Sequence, residues 1–250
     1  MAIGAFIPLA IFIVILGSVG IHLMRLWRRT GELPEMALGF GLVIVAMSMP
    51  LTAAGRAPAI AMNMAGRVSF SLGLIAIWVG ITFMVFFTFW VFRRGSTWGV
   101  AGMVALSLAL AAAVLYMSVQ NFAGDSVQAI KATMRPGTLT LMGVILLVFA
   151  WGGAESFRCF DLHRRRAALG LGDPVLANRF LLWGVASVTG SLLLIVVAGC
   201  VVAGMTIVRE PIPLAAIAAS GCVMSLTWYL TFFAPERYTR WLCARASQNS

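Results

Sequence analysis

"RRRAALGLGDPVLANRFLLWG", residues 164–184, sets three arginines, two turn glycines and an Asp-Pro pair directly before an apolar run. A shorter echo, "RRTGELPEMALGFGLV", stands at residues 28–43. In both, charge gives way to hydrocarbon within a few residues, the pattern of a helix entering a bilayer from its arginine-rich side. Asp173 is placed to cap the helix that follows, with Pro174 at its first position, where a missing N–H costs nothing. Gly170 and Gly172 supply the turn before it.

The rest of the chain agrees. Of 250 residues, 61% are hydrophobic and 10% charged, and mean hydropathy is +0.98, too oily for one water-soluble core. A net charge of +10 would point to nucleic acid in a soluble protein. Here it reflects arginine gathered on one membrane face, because no basic segment outside the apolar runs is interleaved with base-stacking aromatics. Cys159, Cys200, Cys222 and Cys243 form neither a C-x-x-C pair nor a ligand set with His22 and His163. Structural zinc, attached haem and a disulfide framework therefore find no support, and no cofactor is expected. The first apolar run lacks a basic lead and a small-residue cleavage site, so it is expected to be a retained span.

A crossing helix needs about 20 apolar residues. Seven stretches qualify, at residues 3–26, 36–54, 68–92, 98–118, 138–156, 180–203 and 214–233. Between them, the amino terminus and even-numbered loops carry five basic residues, Arg56, Arg67, Lys131, Arg135 and Arg209, while the other side carries thirteen. The positive-inside bias then predicts an outside amino terminus and a cytoplasmic tail. The expected fold is all-α, a single polytopic membrane domain over residues 1–250.

The two echoes also predict an internal repeat. Pro34 laid on Pro174 matches "LPEMALGFGLV" with "DPVLANRFLLW", and further on "TFWVFRRGSTW" matches "TFFAPERYTRW", ending in Trp98 and Trp241. Spans one to three and five to seven would be parallel copies, residues 1–95 and 138–241, joined by a linker helix at 98–118. Shared interfacial composition at cytoplasmic helix ends is the competing explanation.

This three-plus-one-plus-three layout resembles that of SWEET-type sugar carriers and, more loosely, of opsins and G-protein-coupled receptors. The loop text, with "RRRAALGLGDPVLANRFLLWG" and a last span ending "YLTFFAPERYTRWL", is similar to seven-helix proteins of bacterial inner membranes, which implies that setting and no activity. The motifs of the better-known families are missing. The sole lysine, Lys131, lies in an outer loop, which excludes a retinal Schiff base in span seven. "VFRRG" and "FFAPERY" replace the receptor signatures, and span six lacks the hinge proline of the carriers.

Within this frame a few polar and aromatic residues stand out. Glu155, in "WGGAESFRC", is the one acid inside or bordering a span, a position that marks proton or ion paths unless Arg158, one turn on, simply pairs with it. His22 reads as an interfacial anchor. Trp78 heads an aromatic cluster in span three that Trp228 and Tyr229 answer in span seven, either as a ligand cleft or as an interfacial belt. In the outer loops Arg67 and Asn121, with Asn63, Gln120, Asp125 and Arg135, supply groups that can cap a pocket. Asn178 and Arg179 stand where span six enters the membrane and are candidates for a partner contact. Paired carboxylates within the spans, a Ser-His-Asp set and a glycine-rich phosphate loop are all missing, so no enzymatic role is expected. The expected function is a receptor-like or scaffold protein that binds a small apolar or lipid-like ligand, or a partner protein. The alternative is a small-solute carrier.

Overall fold

The structure is a computed structural model that describes the chain except residue 1, residues 61–62, Asp125, Gly170, residues 206–210 and residues 248–250. Side chains at 2–6, 8–9, 57–60, 127, 131, 168 and 245–247 are likewise outside the description. Of the sequence expectations, those on Asp125, Gly170 and Arg209 fall there, as does the Lys131 side chain.

Every regular element among the described residues is helical: α1 (Ala2–Thr30), α2 (Leu33–Ile60), α3 (Met64–Phe92), α4 (Thr97–Ala123), α5 (Val127–Ala168), α6 (Pro174–Val202), α7 (Pro211–Phe232) and α8 (Glu236–Ser247). Seven of them, α1 to α7, are long and apolar enough to cross a bilayer. The expected all-α polytopic fold is therefore the fold observed, and the chain is an integral membrane protein. Large apolar side chains such as Val14, Leu108, Leu115, Leu192 and Ile195 stand outward on these helices. In water that would be a defect; in lipid it is the solvated state.

The helices outrun the apolar stretches that predict them. At 42 residues, α5 is about 63 Å long, roughly twice the hydrocarbon thickness. It continues through Arg158, Asp161 and Arg164 because arginine, leucine and alanine favour helix whether or not lipid surrounds them. The tail forms α8, a short polar helix that an apolar-length criterion cannot see. The two quoted turns are built differently. Gly31, with φ of 74°, closes α1 in the left-handed region and its N–H donates to Trp27 O at 2.8 Å. Gly172 is needed for room instead, since a Cβ there would meet the Ala167 nitrogen at 2.8 Å. Asp173 Oδ1 accepts from Val175 N at 2.8 Å, the cap that the sequence leads one to expect.

The chain divides into two compact units. The larger comprises residues 16–148 and 198–206, and so holds the second half of α1, all of α2, α3 and α4, and the first half of α5. The smaller comprises residues 1–15, 149–197 and 207–250, with the first half of α1, the second half of α5, most of α6, and α7 and α8.

In the larger unit α2 and α3 meet backbone to backbone. A Cβ on Gly41 would lie 2.9 Å from Gly80 O, and one on Gly73 would lie 2.7 Å from Thr52 N. Lipid offers little hydrophobic drive for helix pairing, so close approach through small residues supplies the contact energy.

Candidate functional site

Arg67 stands in the first turn of α3, behind an N-cap in which Asn63 Oδ1 accepts from Ala65 N at 2.9 Å. Its side chain is buried, at 7% exposure, and reaches the far end of α4. Nη1 donates to Phe122 O and Nη2 to Gly124 O, both at 2.9 Å. These carbonyls close a helix and have no partner one turn ahead, so a cation there meets both their lone pairs and the negative end of the α4 dipole. Asn121, with no exposed surface, answers in the other direction. Its Nδ2 donates to Arg67 O at 2.9 Å and to Ser71 Oγ at 3.1 Å. The structure thus joins two of the predicted site residues in one buried node, whose geometry ties the start of α3 to the end of α4. Trp78, three turns along α3, adds a second tie by donating from Nε1 to Ser107 O at 3.2 Å.

The remaining candidates belong to the smaller unit. Glu155 is 6% exposed, and its Oε2 lies 3.9 Å from Nη1 of the exposed Arg158, an ion pair beyond hydrogen-bond reach. Asn178 Nδ2 donates to Tyr238 Oη at 3.0 Å, so its partner is α8 of the same chain. Arg179 is exposed. In α7 the neighbouring aromatics diverge. Tyr229 is exposed and tilts against Phe233, while Trp228 is 5% exposed and packs inward.

Trp228 is the centre of an aromatic group. It stacks on Phe232 with centroids 5.8 Å apart and planes at 12°, and tilts against Trp183 of α6 at 5.5 Å. Beside it runs a narrow crevice, with no room for a water-sized molecule as it stands, lined by Leu182, Trp183 and Ala186 of α6 and by Thr227, Trp228 and Thr231 of α7. Both threonine hydroxyls are turned back on their own helix, Thr227 Oγ1 to Val223 O and Met224 O, and Thr231 Oγ1 to Thr227 O. They show the crevice methyl groups. Trp228 Nε1, in contrast, is buried with no hydrogen-bond partner. A buried unmet donor costs about 1 to 3 kcal/mol, which an incoming acceptor would recover.

Trp183, Thr227 and Thr231 escape notice in the sequence because nothing local distinguishes a lining residue from a lipid-facing one on a helix apolar all round. The pattern that marks them is two threonines at i and i+4 flanking a tryptophan. Among the described residues no three His, Cys, Asp or Glu side chains are grouped to hold a metal. No family model, curated protein or solved structure matches this chain.

Proposed function

We propose that this membrane protein is a non-enzymatic, receptor-like binding protein whose α6–α7 crevice, closed to a water-sized molecule as it stands, widens to take a lipid-like molecule. The apolar part, an acyl chain, would lie along Leu182, Ala186 and the threonine methyls. A single acceptor on it, such as an ester carbonyl, would take the Trp228 N–H. The observation that carries this reading is the buried Trp228 donor with no partner, beside two threonine hydroxyls that their own helix satisfies. A bacterial inner-membrane setting, with the amino terminus outside, follows from the arginine distribution and the resemblance of the loop text.

The test is binding of a monoacyl ester and of the matching alkane to the purified protein, followed by tryptophan fluorescence. The ester is expected to bind more tightly. Trp228→Phe, which keeps a ring and removes the donor, is expected to erase most of that preference, a factor of about ten for one hydrogen bond. Equal affinity for ester and alkane in the parent protein would sink the reading. So would saturable solute uptake into proteoliposomes that disappears in Glu155→Gln, since that outcome belongs to a carrier. Orientation is checked by cysteines placed at Ser126 and Ser247 in a background without the native four. They are expected to label from opposite faces.

A further inference from the structure

The smaller unit carries arginines on three elements that two cross-helix contacts tie together. His163 of α5 stacks on Phe180 of α6 with centroids 5.3 Å apart and planes at 20°. Phe180 opens the apolar run of α6, so this contact places the last turns of α5 beside the membrane boundary. Two residues before it, Asn178 holds Tyr238 of α8 by a 3.0 Å hydrogen bond, which brings the first turn of α8 to the same depth. Tyr238 in turn stacks on Trp241, half of whose surface is exposed.

Seven arginines ride on these anchored segments, Arg158, Arg164, Arg165, Arg166, Arg179, Arg237 and Arg240, against four acids, Glu155, Asp161, Asp173 and Glu236. Asp161 neutralises part of the cluster by pairing with Arg164 at 3.2 Å and Arg165 at 2.7 Å, and Glu236 pairs with Arg240 at 3.6 Å. Arg166, Arg179 and Arg237 have no ion pair among the described residues.

We infer that this face is a binding surface for anionic phospholipid headgroups, with Arg166, Arg179 and Arg237 as the phosphate contacts. The depth set by Phe180 favours lipid over a soluble acidic protein, because guanidinium groups at that boundary meet phosphodiesters before anything else. The exposed Trp241 and Leu176 at the same level are the side chains that the interface accepts and that cytosol does not favour. Two cross-helix contacts fix the array, so little ordering is left to be done on binding. The inference stands independently of the ligand proposed for the crevice.

The experiment uses the full chain in nanodiscs of phosphatidylcholine with and without phosphatidylglycerol, with lipid retention read by native mass spectrometry after extraction. Preferential retention of phosphatidylglycerol is expected. In Arg166→Gln/Arg179→Gln/Arg237→Gln the preference should fall by about five-fold for each arginine removed. The triple lysine variant should keep most of it, since a surface array of this kind acts mainly through charge. Unchanged melting of the glutamine variant in pure phosphatidylcholine shows that folding is intact; if folding is lost, the three single variants carry the test. Equal retention of the two lipids overturns the inference, as does an undiminished preference in the glutamine variants or a lysine variant as poor as the glutamine one. Inorganic pyrophosphate or polyglutamate holding the lipid-free protein as strongly as phosphatidylglycerol does would overturn it too, by assigning the face to a soluble anion or an acidic chain.

Discussion

The two units solve the same packing problem by different means. In the larger one, glycines let α2 and α3 touch through their backbones, and a buried arginine and asparagine lock α3 to the end of α4. In the smaller one, glycines on α6 are notches filled by rings from α5. A Cβ on Gly184 would lie 2.7 Å from Phe157 Cε1, and one on Gly190 would lie 3.1 Å from Phe149 Cζ. Backbone contacts cannot yield, whereas rings can swing. The larger unit is thus the stiffer by construction, and the crevice lies in the unit whose contacts are able to adjust.

The largest effect should come from Arg67→Met. Removing the guanidinium leaves the carbonyls of Phe122 and Gly124 without their donors inside the membrane protein. A loss of about 4 kcal/mol is expected, two charge-assisted hydrogen bonds being offset in part by easier burial of the methionine. It is measured by detergent unfolding of the reconstituted protein. A loss below about 1 kcal/mol would remove the polar node from the description of the larger unit. Next comes Gly80→Val. The added Cβ would meet Val45 Cγ2 at 2.7 Å and Gly41 O at 3.0 Å, and since a carbonyl cannot move aside, about 3 kcal/mol should be lost.

Gly184→Ala sharpens the contrast in the other unit. The three atoms nearest the new methyl all belong to the ring of Phe157, which is itself partly exposed and can rotate away. About 1 kcal/mol is expected, well below the Gly80 substitution, with near-ultraviolet circular dichroism reporting the ring's displacement. Costs of the same size at Gly80 and Gly184 would erase the distinction between rigid and adjustable interfaces.

What the sequence reveals follows the same physics. Seven spans are legible because a bilayer enforces a minimum apolar length, and no other feature of a sequence is so strictly imposed. The overhang of α5 and the whole of α8 lie outside that constraint and leave no comparable trace. Arg67 and Asn121 stand out as polar residues near a membrane boundary, yet their partners are backbone carbonyls and a serine some fifty residues away in the chain, contacts that side-chain identity alone does not encode. Trp228 stands out as an aromatic, but only packing separates it from Tyr229, its neighbour on the exposed side. Asn178 is the reverse case. Its position at a helix entrance invites a partner from outside, and the structure supplies one from within, Tyr238.

The smallest effect is also the one with reversed sign. Gly143 of α5, in the larger unit, has nothing within 4 Å of the place its Cβ would occupy, so it makes none of the close approaches that its counterparts on α2 and α3 make. A glycine with no packing role costs a helix interior up to about 1 kcal/mol relative to alanine, because its backbone loses more freedom on folding. Gly143→Ala is therefore expected to stabilise the protein by about 0.5 kcal/mol, less than the full propensity difference because the bilayer already holds the segment helical. Resistance to unfolding by detergent is the measurement. A destabilised Gly143→Ala would mean that this face of α5 packs against something, and the division between contact glycines and idle ones within the larger unit would have to be redrawn.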